Sequence, residues 1–323
     1  MIIDSVFITG HRKAEIKQIE LGPPKPWEIQ IEVKVCGICA WDSYMFMGRD
    51  MLYPYPFPIG HEAVGIVRET GENVKSFSPG DYVFCIDEYP QRQMAQFINI
   101  GADKAGLIPD KPQKTEDFVS YIGEPSVCVV CGMSNIVIKP GDNVIVIGTG
   151  YMGLLNVQAF RHSHIGYLYC FGSDEKRLAL AKESGADKCW ITKSPEGKEA
   201  IKKIIAEGGA EIVVECSAKP NALQLATDLV KTGGIISNFA WHRGERTVDA
   251  TPWHLRGLRV INTAPALERH FPDHVIPTQR LFARKVFDQR NLITHVMDYH
   301  RIQEILTISA DKLDGYIKGV ITF

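Results

Sequence analysis

Val144-Ile145-Val146-Ile147-Gly148-Thr149-Gly150-Tyr151-Met152-Gly153 joins a strand pattern to a glycine-rich turn. Four consecutive β-branched residues read as a strand buried on both faces, and a G-x-G-x-x-G turn leads from it into an apolar helical run over 154–160. That order is a dinucleotide-binding arrangement. Gly148 allows the tight turn, Gly150 lets the backbone approach a pyrophosphate, and Gly153 lets helix pack on strand. Tyr151 and Met152 then stand where free N–H groups meet the phosphates at a helix N-terminus. Three further strand candidates, 167–171, 211–214 and 234–238, follow with helical segments between them, so a nucleotide-binding α/β domain is expected.

Upstream, residues 1–124 read as many short strands, among them 29–35, 63–69 and 80–86, punctuated by Gly22-Pro23-Pro24, Gly71-Glu72-Asn73 and Ser78-Pro79-Gly80-Asp81. That is an all-β domain of barrel or sandwich type. The periodicity changes near 125: a helix is predicted over 127–137, broken by Lys139-Pro140-Gly141-Asp142. The nucleotide domain is therefore placed at 125–265. Beyond it, 279–289 reads as a helix and 315–323 as a terminal strand without an obvious partner in that domain, so 266–323 is expected to return to the first domain.

The bulk properties narrow the function. A chain of 323 residues has room for two domains, and 45% hydrophobic with 23% charged residues is an ordinary globular composition. A net charge of −2 gives no footprint for nucleic acid or an acidic membrane surface. No apolar run suggests a membrane span, and the start of the chain does not read as a signal peptide, so a cytoplasmic location is expected. In that setting the eight cysteines point to core positions or metal ligands rather than disulfides.

Two clusters in the β domain carry metal-ligand chemistry: Cys36-Gly37-Ile38-Cys39-Ala40-Trp41-Asp42 and Gly60-His61-Glu62. A catalytic zinc needs three N, S or O ligands and one open position, and Cys39, His61 and one carboxylate would suffice. The spacings Cys36/Cys39 and Cys128/Cys131 also permit a structural metal knuckle, although the second pair sits in an apolar helical context that suits core cysteines.

With these residues in view, the sequence resembles the zinc-dependent medium-chain dehydrogenases, the alcohol and polyol dehydrogenases. The likeness is carried by CGICAWD at 36–42, GHEAVGIV at 60–67, GDYV at 80–83, EP at 124–125, GTGYMG at 148–153 and IKGVITF at 317–323. It implies a GroES-like β-barrel catalytic domain plus a Rossmann dinucleotide-binding domain. It also implies that Cys39 and His61 bind zinc, that Asp42 orients His61, and that Glu62 lies at or next to the metal. Glu124 is the third ligand position, as in the sorbitol-dehydrogenase-like branch, where a glutamate precedes the first glycine of the fingerprint by 24 residues. Members are commonly dimers or tetramers, and the segment 259–263 is a candidate pairing edge.

Two departures from the family stand out. Many members carry a four-cysteine zinc lobe after GDYV, whereas here only Phe84-Cys85-Ile86-Asp87-Glu88-Tyr89-Pro90 intervenes before Met94-Ala95-Gln96-Phe97. One zinc per chain, with no structural zinc, is expected. Members also usually place a serine or threonine two residues after the first zinc cysteine as a proton relay. Trp41 stands there, and an indole N–H donates but cannot relay a proton.

The cofactor preference rests on the end of the second nucleotide-domain strand. An NAD-binding fold normally places an acidic residue there for the ribose hydroxyls, but the family position, 19 past Gly153, is Gly172. The following Ser173-Asp174-Glu175-Lys176-Arg177 resembles NADP-using members. Ser173, Lys176 or Arg177 could bind a 2′-phosphate by charge-assisted bonds, so NADP is favoured over NAD, with Asp174 holding a ribose as the alternative. The expected reaction is hydride transfer between NAD(P) and a secondary alcohol, an EC 1.1.1 type of oxidoreduction. Tyr44, Arg49, Tyr53 and Trp241-His242-Arg243 would suit a polyol, sugar or sugar acid, while His270-Phe271-Pro272-Asp273-His274 suits substrate or a second subunit. The alternatives are a zinc-free quinone or enone reductase on the same fold, which the ligand set opposes, and a non-catalytic nicotinamide-binding sensor.

Overall fold

The computed structural model describes residues 1–49, 53–86, 92–264 and 270–323. The chain divides into two compact units, Met1–Val127 with Pro272–Phe323, and Cys128–Phe271. The sequence-based boundary at 265/266 falls outside the described residues.

The second unit is built on Val144–Ile147, whose four residues are all buried. It lies inside a six-stranded parallel sheet in the order Lys188–Ile191, Leu168–Gly172, Val144–Ile147, Ala210–Glu215, Val230–Asn238, Arg259–Asn262. This is the 3-2-1-4-5-6 order of a doubly wound dinucleotide fold, with the direction of winding reversing between Val144–Ile147 and Ala210–Glu215. Burial on both faces explains the unbroken β-branched run. Among the described residues, Arg259–Asn262 is an edge strand.

The first unit holds two sheets. A small one joins Lys13–Glu20, Ile2–Gly10 and Phe57–Pro58. The larger, seven-stranded sheet centres on Glu28–Ile38, which pairs antiparallel with Ala63–Thr70, Phe97–Gly101 and Gly319–Thr322. The last pairing gives the C-terminal strand its partner. Isoleucines 29 and 31, Val33 and Cys36 form the middle of a core that also takes Ile302, Ile305 and Leu306 from the C-terminal helix Ile302–Asp311.

Several boundaries differ from the periodicity. The helix predicted over 127–137 is Gly123–Ser134, because Pro125 is tolerated in a first turn, where no N–H bond is lost. The same reason moves the helix predicted over 279–289 to Val275–Ala283, with Pro277 in its first turn and Lys285 at φ 56° just past its end. The terminal strand is shorter than 315–323, since Asp314 and Gly315 both take positive φ in a turn. The helix Ala40–Phe46 and the strand Lys188–Ile191 carry too short a pattern to stand out in the sequence.

Candidate metal centre and dinucleotide site

Strand pairing brings the metal-ligand residues together. The register Cys36↔Ala63 sets the end of Glu28–Ile38 beside the start of Ala63–Thr70, so Cys39, just past one strand, meets His61 and Glu62, just before the other. Cys39, His61 and Glu62 each offer one ligand atom, and these atoms lie within 4.8 Å of one another. It is the one such donor group among the described residues. Glycine at 37 makes room for it, because a Cβ there would lie 1.9 Å from Glu62 Oε2.

Asp42 is completely buried in the first turn of Ala40–Phe46, where its Oδ2 accepts from the Cys39 backbone N–H at 2.9 Å. Its Oδ1 lies 3.9 Å from His61 Nδ1, and neither atom has a hydrogen-bond partner among the described residues. Burial by itself disfavours a charged His61 ring, yet the negative charges of Cys39, Asp42 and Glu124 outweigh it and hold the imidazole well above its ordinary pKa. Burial pushes Asp42 up as well. Unpartnered buried polar atoms around a thiol, an imidazole and a carboxylate form an electronegative enclosure, and those donor types are the ones zinc accepts. The residues therefore fit the metal.

Glu124 lies in the first turn of Gly123–Ser134, half-buried and outside the close donor group, although its charge reaches His61. Trp41 is half-buried and packs on the core of its unit, as does Tyr53, while Arg49 is exposed. Cys36 is enclosed in its strand, with its thiol pushed well up by burial, and Cys131 receives the Asn135 amide at 3.5 Å in a helix interior. Neither CxxC pair gathers a donor group of its own among the described residues. The span where a second zinc lobe would sit includes residues 87–91, which lie outside the described residues.

Sequence reasoning missed Lys318. This buried lysine, from IKGVITF, places Nζ 2.7 Å from Glu62 Oε1 and 2.5 Å from Oε2. The pairing spans 256 positions, so no local pattern announces it.

In the second unit, Gly148 takes φ 97°, and a Cβ on Gly153 would sit 1.9 Å from Gly148 O, so the third glycine is required for the helix to pack on the turn. Gly150 caps the helix Tyr151–Arg161, and the place a Cβ would take there has no atom within 4 Å. That open cradle at a helix N-terminus fits a pyrophosphate. Gly172 ends its strand against Thr149, whose hydroxyl would lie 2.4 Å from a Cβ. Asp174 is committed as the N-cap of Glu175–Glu183, accepting from the Arg177 N–H at 2.9 Å, whereas Ser173 and Lys176 are exposed and Arg177 is half-buried.

A second missed residue is Glu215, fully buried at the end of Ala210–Glu215. Its Oε1 accepts from Ser217 N at 2.6 Å, Ser217 Oγ at 2.5 Å and Ala218 N at 3.1 Å, and its Oε2 lies 2.6 Å from His242 Nε2. A glutamate closing an apolar strand was the available signal. Trp241 is exposed, with the Arg243 guanidinium 4.3 Å from its ring centre.

The sequence pattern of the alcohol dehydrogenase GroES-like domain matches residues 25–111, and that of the zinc-binding dehydrogenases matches residues 152–277. An uncharacterised zinc-type alcohol dehydrogenase-like protein of Escherichia coli is 24% identical over 335 aligned positions, covering 95% of each chain. A zinc-binding dehydrogenase of Sinorhizobium meliloti, solved with NADP, superposes with a TM-score of 0.84 at 20% identity over 100% of both chains. Galactitol-1-phosphate dehydrogenase of Escherichia coli superposes with a TM-score of 0.85 at 18% identity, over 99% of this chain and 100% of that one. The fold and donor group are thus those of a zinc-binding oxidoreductase. The chain belongs to the zinc-dependent medium-chain alcohol and polyol dehydrogenase family.

Proposed function

We propose that this chain oxidises a secondary alcohol of the polyol, sugar or sugar-acid class reversibly, with one zinc and with NADP in preference to NAD. The observation that carries the reading is the meeting of Cys39, His61 and Glu62 within 4.8 Å, with His61 and Glu62 buried and Cys39 half-buried. The unit Met1–Val127 with Pro272–Phe323 is the catalytic domain and Cys128–Phe271 the nucleotide domain. Cys39 and His61 hold the metal, and Asp42 orients the imidazole. Because Lys318 already neutralises Glu62, Glu124 is the carboxylate that completes the set, as in the sorbitol-like branch. When bound, zinc supplies Lewis acidity toward the reacting oxygen, and the nicotinamide ring exchanges the hydride. Trp41 cannot pass on the alcohol proton, so water together with a carboxylate such as Glu124 or Glu62, or a different donor, takes that role.

On the nucleotide side, Gly148, Gly150, Tyr151, Met152 and Gly153 cradle the pyrophosphate. The missing carboxylate at Gly172, with Asp174 engaged as a cap, supports recognition of a 2′-phosphate by Ser173, Lys176 and Arg177. Arg259–Asn262, at the sheet edge among the described residues, suits pairing in a homodimer or homotetramer. No described helix is long and apolar enough to cross a membrane, and a cytoplasmic enzyme with neither membrane nor nucleic-acid partner is the matching setting.

A panel of polyols, sugar acids and phosphorylated polyols, assayed with NADP and NAD before and after chelation, tests the reading. Chelator-sensitive oxidation of at least one polyol or sugar acid with NADP is expected. Turnover of quinones or enones that survives removal of zinc would contradict it.

A further inference from the structure

The Glu215–His242 pair lies where the dinucleotide fold changes direction. Glu215 stands opposite Ile147 in the parallel register, one residue before the glycine turn. Its carboxylate gathers the Ser217–Ala218 turn, and Ser217 in turn packs on Gly148, where a Cβ would lie 2.7 Å from Ser217 Cβ. The Glu215 carbonyl meanwhile accepts the N–H groups of Phe239 and Ala240 at 3.1 and 2.8 Å, which draws the segment after Val230–Asn238 over the same point. His242 arrives from that segment with its side chain 7% exposed. Its Nε2 is spent on Glu215 Oε2 at 2.6 Å, while its Nδ1 is buried and has no hydrogen-bond partner among the described residues.

A buried ring nitrogen left unpaired costs free energy that a ligand's donor would recover, and Glu215, which holds His242, borders the glycine turn. In the tautomer whose Nε2–H is donated to the Glu215 carboxylate, Nδ1 presents a lone pair. The doubly wound fold has two mononucleotide halves, and the adenosine ribose belongs to the half ending at Gly172. Glu215 and His242 sit in the other half. We propose that His242 Nδ1 accepts a hydrogen bond from the nicotinamide-riboside half of the bound dinucleotide, with Glu215 holding the ring in the tautomer that can do so. This rests on the dinucleotide reading above.

Gln and His share the geometry of Nε2, so His242→Gln keeps the bond to Glu215 and removes the Nδ1 lone pair. Dissociation constants are measured by ligand fluorescence or calorimetry for the preferred dinucleotide, and for the ADP-ribose fragment carrying the same 2′ group but no nicotinamide. The fragment reports on the fold and on the adenosine half. His242→Gln is expected to weaken the dinucleotide about tenfold and leave the fragment unchanged. Equal affinity of variant and wild type for the dinucleotide overturns the proposal, as does an equal loss for both ligands, which would mark His242 as purely structural. A wild-type protein that binds neither ligand overturns the dinucleotide reading and this inference together. The 3-acetylpyridine analogue, which lacks the carboxamide N–H, locates the donor. If its deficit relative to the natural dinucleotide disappears in His242→Gln, the donor is the carboxamide; if the deficit persists alongside the tenfold loss, it is a ribose hydroxyl.

Discussion

Lys318 Nζ lies 2.7 Å from Glu62 Oε1, so one member of the donor group already carries a buried counter-charge. Removing one partner of such a pair leaves the other charge uncompensated in a buried site. Lys318→Met is expected to cost about 3–5 kcal/mol, and Lys318→Arg markedly less. Urea unfolding measures both, and a Met variant as stable as wild type would show that the pair contributes nothing.

Space around the same carboxylate is set by Gly37, where a Cβ would come within 1.9 Å of Glu62 Oε2. Gly37→Ala must displace Glu62 or the strand and is expected to destabilise the fold by about 1–3 kcal/mol. It should also weaken zinc binding, since Glu62 and His61 are neighbours. Thermal unfolding and chelator competition on one preparation check the two effects.

Asp42 touches no substrate in this account and acts through His61. Its replacement by Asn keeps the shape and the bond to the Cys39 N–H but loses the charge, so zinc affinity is expected to fall by about 10–100-fold with the fold intact. Competition with a coloured chelator reads this directly, and an unchanged affinity would remove Asp42 from the metal's support.

Thr149 controls what can stand at 172, because its Oγ1 would lie 2.4 Å from a Cβ there. Gly172→Asp alone is expected to destabilise the protein. Combined with Thr149→Ala, it should turn preference from NADPH toward NADH by about tenfold or more, as the new carboxylate binds ribose hydroxyls and repels a 2′-phosphate. Parallel titrations with the two cofactors decide it.

Tyr299 ties the C-terminal part of its unit to the first strand by donating to Asp4 Oδ2 at 2.8 Å. Burial, then the bond to Asp4, pushes its pKa up to about 12. The folded state thus holds the proton more tightly than the unfolded chain, where the value is about 10. The stabilisation is complete below about pH 10 and is lost as pH climbs from there through about 12. Unfolding midpoints across that window should fall more steeply for wild type than for Tyr299→Phe.

What the sequence showed, and what it hid, follows from the range of the interactions. The glycine turn is readable because Gly148, Gly150 and Gly153 act on each other within one strand–helix unit. His61-Glu62 and Cys39 stand out by donor chemistry, although only the register Cys36↔Ala63 makes them neighbours. Lys318 and His242 were invisible as partners, since each meets its carboxylate through tertiary packing, across 256 and 27 positions. Two helices begin before their predicted starts, each with a proline, Pro125 or Pro277, in the first turn.

A catalytic zinc held by Cys39 and His61, serving an NADP-linked oxidation, ties metal content and turnover to the same side chains. Zinc content by mass spectrometry of metals, measured on wild type and Cys39→Ala beside turnover with NADP, tests it most directly. One zinc per chain in wild type is expected, with metal and turnover lost together in the variant. Turnover that persists in the zinc-free variant would contradict it.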